Sequence, residues 1–410
     1  MQHKKLLIVT GIIGILLLLI YRLTHLYNPV LFIYAIGTST ILGLVLTLSV
    51  KYKSVPVDPA YQPKVSIVLA VFNEPLEILK QVVESAQKTN YPKDKKEIIL
   101  VDDGSANDSV QQLKKIITPD EVKIISFEKN QGNKFARMEG IKASTGEITV
   151  FLDSDTVLEE NSILHVVAPF KNPKVGSVSG HLTVQNWSKN LLTKFQEVWY
   201  FIGFRVYRGA ESEIGMVSCC AGAFSAHRRS AITPQMEHEW LYGKFMGLEV
   251  TAGVDRAITN LIIKDGYEAV YQMDAVAQTT VPDTTRKFLK QQVRWSKSWI
   301  RETIYMMTFA YKRKEKSIFF YLSTLTHFVN YAFLFFMLFI SPIFIENGYL
   351  GTIFYLISLS LLGLLYALYA RKHTHAWTSR FTFQIIFSII SLPIFIYSLI
   401  TLKDKKWGTR

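Results

Sequence analysis

The sequence predicts an alternating α/β domain with a parallel sheet, held between α-helical transmembrane segments at both chain ends. Three observations predict it. Apolar runs of spanning length occupy the two ends of the 410-residue chain. The interval between them alternates short β-rich runs with helical stretches. Basic residues gather beside the apolar runs instead of along one face.

Taken in order, residues 6–20 (LLIVTGIIGILLLLI) and 30–50 (VLFIYAIGTSTILGLVLTLSV) are apolar and separated by a short polar loop. Lys4 and Lys5 precede the first run as in a signal peptide, but no small-x-small cleavage pattern follows and a second run arrives at once. A transmembrane hairpin over 1–53 is expected, with both ends cytosolic, as Lys51 and Lys53 suggest. Pro56, Pro59 and Pro63 mark a linker. VSIVLAVFN (65–73), KEIILVDDGS (96–105), VKIISFEKN (122–130) and EITVFLDSDT (147–156) then read as strands, with helices near 76–90, 107–117 and 133–144. Such alternation predicts a parallel sheet with helices on both faces, inside a cytosolic domain over 54–285. Ligands of such sheets bind at the carboxyl ends of the strands, which here carry Asn73, Asp102, Asp103, Asp153 and Asp155.

Residues 286–316 mix cations with apolar and aromatic residues, the pattern of an amphipathic segment at a membrane interface. Apolar blocks follow at 318–345, 349–370 and 381–402, within a membrane region over 317–402. Three crossings would send the basic tail 403–410 outside the cell, so one block is expected to be re-entrant; Pro393 singles out 381–402.

The net charge of +13 is concentrated at Lys51–Lys53, Lys312–Lys316, Arg371–Lys372 and Lys403–Lys406, beside apolar runs. That placement suits anionic lipid headgroups and a plasma-membrane location, and no interleaved aromatic and basic array suggests nucleic acid. The two cysteines, Cys219 and Cys220, are adjacent, which argues against a disulfide and for a reducing compartment.

Asp153 and Asp155 leave one strand end together and could hold Mg²⁺ or Mn²⁺ with positions open for a diphosphate, or simply solvate a loop. Asp102 and Asp103 end the second strand before Gly104, and Asn73 and Glu74 end the first; each could be turn chemistry alone. Their clustering at one sheet edge favours a site. The absence of G-x-G-x-x-G and G-x-x-x-x-G-K-[ST] argues against a dinucleotide oxidoreductase or a P-loop ATPase.

The ordered set VFNE (71–74), VDDGS (101–105), DSD (153–155), GVDR (253–256) and QQVRW (291–295) resembles processive family 2 glycosyltransferases of the GT-A (Rossmann-like) fold, over about residues 63–301. SGHLTVQN (179–186), NLLTKFQEVWY (190–200), QQVRWSKSWIRE (291–302) and WGTR (407–410) look like bacterial class I hyaluronan synthases. The resemblance implies a membrane enzyme that builds and exports a β-linked polysaccharide from UDP-sugars, hyaluronan from UDP-GlcNAc and UDP-GlcA first among them. Chitin-type, poly-N-acetylglucosamine and glucose–glucuronate capsule synthases are the alternatives, since WGTR occurs in related capsule enzymes. It implies that Asp103 and Asp153 contact the nucleoside, Asp155 ligates the metal and Asp255 is the general base. Gln291, Arg294 and Trp295 would bind the diphosphate and acceptor, with Asn73, Glu74, Asp102 and Lys134 also at the substrates. Trp407 and Arg410 would belong to a gating tail.

Other roles stay open for these residues. Asp255 could pair with Arg256 at a helix start, Trp295 and Trp299 could be an interfacial aromatic belt, and Arg410 a membrane-flanking cation. The chain also departs from the family pattern. Val254 stands where an acidic residue usually precedes the base, Asn133 breaks the usual G-K-R after Gly132, and C-A-G-A (220–223) replaces C-S-G-P. Transfer of sugar to a lipid phosphate, and a non-catalytic transporter or receptor, are competing classes.

Overall fold

The computed structural model describes residues 43–118, 121–249, 253–344, 349, 352–353, 371 and 379–403. The expected N-terminal hairpin up to residue 42, most of block 349–370, and the tail from 404 on lie outside the described residues; 43–51 are helical.

The first half alternates as predicted: β1 (Val65–Val71), α1 (Leu76–Lys88), β2 (Lys96–Asp102), α2 (Ser109–Lys114), β3 (Lys123–Ser126), α3 (Asn133–Ala143) and β4 (Ile148–Asp153). All seven residues of β1 are buried, which is why VSIVLAV is apolar at every position but Ser66 instead of alternating. Leu79, Val82, Val83 and Ala86 form the buried stripe of α1 at helical spacing. β1 pairs in parallel with both β2 and β4, in a register that aligns Val71 with Asp102 and Ala70 with Asp153. The acid-bearing strand ends therefore finish level at one edge.

The second half contains β5 (Thr156–Leu158), α4 (Ser162–Val167), β6 (Val175–Val184), α5 (Leu191–Phe201), a π-helical run Ile202–Arg208, α6 (Gly209–Glu213) and β7 (Phe224–Arg228). Then come α7 (Pro234–Tyr242), a ribbon of β8 (Lys244–Phe245) and β9 (Leu248–Glu249), α8 (Val254–Lys264) and β10 (Glu268–Thr279). The main sheet has the order β3-β2-β1-β4-β7-β6-β10-β5. Here the expectation of a parallel sheet needs correction: β7 runs antiparallel between β4 and β6, and β5 runs antiparallel to β10. The segment FSAHR is a central strand although it carries a buried histidine. Partners within the sheet make it one: the buried His227 ring bonds the Ser177 hydroxyl at 2.9 Å and the Ser225 hydroxyl at 3.2 Å. Burial holds that imidazole neutral, its pKa pushed down to about 3.

Past the sheet lie α9 (Thr285–Met307), a 3₁₀ turn at Ala310–Arg313, α10 (Glu315–Phe335), a π-helical run Phe336–Ile340, α11 (Ser341–Phe344) and α12 (Ser379–Ile400). Among the described residues one helical run, Lys316–Phe344, is long and apolar enough to cross a membrane. α12 continues through Pro393 instead of being interrupted there. The basic segment 286–316 is divided at the 3₁₀ turn. α9 buries Lys297, Arg301 and Glu302, because it packs between α8 and α12.

Candidate active site

The strand-end loops are laced to one another before any ligand is considered. Asn73 takes a left-handed backbone (φ 55°), which asparagine tolerates, and its N–H donates to the Ser105 hydroxyl while its Oδ1 accepts from the Ala106 N–H. The Glu74 carboxylate accepts from the Ser154 hydroxyl at 2.9 Å, tying the β1 loop to the Asp153–Asp155 turn. Asp102 and Asp103 have separate tasks despite being neighbours. Asp102 is buried and accepts from the Ser105 N–H within its own turn. Asp103 accepts from the N–H groups of Gln131 and Gly132 and from Asn130 Nδ2, clamping the loop that enters α3. Burial raises the Asp103 pKa and those amides oppose the rise. Gly104 permits the clamp: its φ is +71°, and a Cβ there would stand 2.5 Å from the Lys129 carbonyl carbon.

α3 adds two cations. Lys134 is buried, and desolvation lowers its pKa to about 8. Arg137, also buried, donates to Asp153 Oδ1 at 2.7 Å and to the Gly222 carbonyl at 3.0 Å, with its guanidinium over the Phe151 ring. The same residue, Gly222, donates its N–H to Asp255 Oδ2 at 3.2 Å. Arg137 was absent from the sequence-predicted set, because nothing local to a helix interior marks a contact with residue 222.

Asp255 sits in the first turn of α8, entered through Gly253 in the left-handed conformation (φ +83°). Besides Gly222, the Cys219 thiol donates to Oδ2 at 3.6 Å and the Arg256 N–H to Oδ1 at 3.0 Å. Burial, then the adjacent Asp255 charge, push the Cys219 thiol well above its usual pKa, so it stays a neutral donor. Arg256 turns away: its guanidinium donates to the Thr303 hydroxyl and lies over the Trp299 ring. Asn260, one turn on, donates to Glu302, so α8 and α9 are joined by buried polar contacts.

These groups open onto one cleft of about 1450 Å³. That exceeds the ~300–1,000 Å³ of ordinary small-molecule sites and leaves room for two ligands. Asn73, Glu74, Asp103, Lys134, Asp153, Asp155, Asp255, Gln291, Arg294 and Trp295 line it. Asp102 is outside that lining, and Trp407 and Arg410 lie outside the described residues. Gln291 Oε1 is buried with no hydrogen-bond partner among the described residues, an acceptor that a ligand hydroxyl could satisfy. Trp295 is 36% exposed, so an indole face is available for a ring.

Among the described residues no three His, Cys, Asp or Glu side chains converge into a protein-only metal cage. Asp153 is engaged by Arg137, and Asp155 lines the cleft two residues on. One or two carboxylates are what Mg²⁺ uses when phosphates complete its shell. The sheet-edge side of the cleft presents Glu74, Asp103, Asp153 and Asp155 beside Lys134, and the α9 side presents Gln291, Arg294 and Trp295.

Comparison with known proteins identifies the family. Residues 66–233 match the family model "Glycosyl transferase family 2". A hyaluronan synthase of Streptococcus pyogenes is 30% identical, over 99% of this chain and 97% of the relative. An N-acetylglucosaminyltransferase of Azorhizobium caulinodans is 28% identical, over 98% and 99%. A mannosyltransferase of Pyrobaculum calidifontis, solved with GDP-Man and Mn²⁺, superposes with a TM-score of 0.59 at 18% identity, covering 91% of this chain and 99% of that one. At that identity the likeness shows a common fold.

Proposed function

The chain belongs to glycosyltransferase family 2, and from that premise we propose that it polymerises and exports a β-linked polysaccharide from UDP-sugars, with hyaluronan as the first reading. The observation that carries the reading is one cleft lined by strand-end carboxylates, by Asp255 and by Gln291, Arg294 and Trp295 of α9. Donor and acceptor can therefore meet beside a single carboxylate.

In this mechanism Asp103 and Asp153 face the nucleoside, and Lys134 and Arg294 offset diphosphate charge. Asp255 accepts the proton of the acceptor hydroxyl while the hydroxyl oxygen forms a bond to the anomeric carbon. The bond from that carbon to the diphosphate breaks on the opposite face, so an α-linked donor yields a β linkage. Gly222, Arg256 and Cys219 orient the Asp255 carboxylate. Asp155 would hold Mg²⁺ or Mn²⁺, which when bound neutralises charge on the departing diphosphate. The Mn²⁺ of the mannosyltransferase supports a divalent ion in such a fold.

The organisation proposed with it is a cytosolic domain over 54–285 in the plasma membrane, with spans at both ends and Trp407 to Arg410 closing over the donor. The apolar run Lys316–Phe344 supports the membrane location. The N-acetylglucosaminyltransferase relatives favour a second reading, a chitin-type or poly-N-acetylglucosamine product. Donor omission separates the two. Purified enzyme with Mg²⁺ should require both UDP-GlcNAc and UDP-GlcA and make polymer that hyaluronan lyase digests. Polymer from UDP-GlcNAc alone would replace hyaluronan with the second reading, and loss of synthesis on chelation, restored by Mn²⁺, would support the metal.

A further inference from the structure

The cleft contains a gap that the mechanism above does not use. Trp199, Gly203 and Tyr207 follow one another at four-residue spacing through α5 and the π-helical run, and all three line the cleft. Trp199 belongs to one aromatic cluster, with ring centroids 5.7 Å from Trp295 and 4.7 Å from Phe387. Tyr207 belongs to a second, 6.3 Å from His327, which in turn lies 5.5 Å from Trp299. Gly203 stands between the two, and a Cβ built on it meets no atom within 4 Å.

Glycine is the weakest ordinary helix former, so local stability does not explain this residue. Close packing does not explain it either, because the space over it is open. Trp295 and Trp299, one turn apart on α9, also line the cleft, one ring in each cluster.

We propose that Gly203 is the floor of a pyranose slot between these two aromatic clusters, and that its missing side chain sets the width available to the acceptor saccharide. The ligand class is a hexopyranose unit of the growing chain, whose C–H faces stack on indole and phenol rings while its hydroxyls project along the cleft. The inference deepens the proposed function and rests on its acceptor side.

The test compares Gly203→Ala and Gly203→Leu with wild type in the full-length, detergent-purified enzyme. UDP release, polymer length and thermal unfolding are measured with the donors that wild type uses. Alanine should raise the unfolding temperature, since it favours helix, while shortening the polymer. Leucine should cut polymer length or acceptor affinity by roughly tenfold or more, the scale of an added methylene in a filled pocket. Loss of elongation should exceed loss of donor hydrolysis, and the KM for donor should move less than that for an added oligosaccharide. Wild-type polymer from folded Gly203→Leu would overturn the slot while leaving the glycosyltransferase intact. Equal losses of hydrolysis and elongation would also overturn it. A wild-type chain that made no polymer from any UDP-sugar would remove the functional reading on which the slot depends.

Discussion

Replacing Arg137 with methionine removes a guanidinium that touches both halves of the cleft. Methionine keeps most of the volume and the contact with Phe151, so the loss is chiefly electrostatic. The Arg137 side chain is 4% exposed and that of Asp153 32%, and they pair at 2.7 Å. Breaking a fully buried pair costs about 3–5 kcal/mol. Water can reach Asp153 and repay part of that, which brings the loss to about 2 kcal/mol. The Gly222 carbonyl also loses its 3.0 Å donor, worth about 1 kcal/mol. The total, about 3 kcal/mol, corresponds to roughly two decades in kcat/KM if it falls on the transition state. Steady-state UDP release against donor concentration gives that ratio, and thermal unfolding of the same preparation gives the part that falls on stability. Lysine at 137 should be intermediate, since it keeps the charge but cannot reach two acceptors in fixed geometry. A kcat/KM within about threefold of wild type at unchanged stability would refute the link from Asp153 through Gly222 to Asp255.

Two further outcomes follow from the site. Asp255→Asn should lower kcat by about 10²–10⁴-fold, the usual worth of a positioned base, while UDP still binds; full turnover at normal expression would remove the assignment. Lys134 carries a pKa lowered by burial to about 8, so it is cationic below that pH and loses its charge as pH rises through it. Accordingly kcat/KM for the anionic donor should fall above about pH 8, and Lys134→Arg, which keeps its charge, should move that limb upward. An identical alkaline limb in Lys134→Arg would assign the titration to another group.

The sequence by itself determined the strand-helix alternation, the apolar blocks and the acids at the ends of β1, β2 and β4. Those are nearest-neighbour properties: VSIVLAV and ITVFLD are mostly apolar because both faces of these central strands are covered. Parallel register then carries any strand-end acid to the same edge, which is why Asp103, Asp153 and Asp155 were legible as one site. Tertiary structure decided what each group does there. Asp102 and Asp103 are the same residue type side by side, yet one closes its own turn and the other clamps the α3 loop. FSAHR became a central antiparallel strand because Ser177 and Ser225 meet His227 from β6 and from β7 itself. Arg137, Gly222 and Cys219 entered the site through contacts spanning 85, 33 and 36 residues. Local spacing encodes periodicity and turn chemistry, whereas a hydrogen bond across the cleft exists only once packing has brought its two ends together.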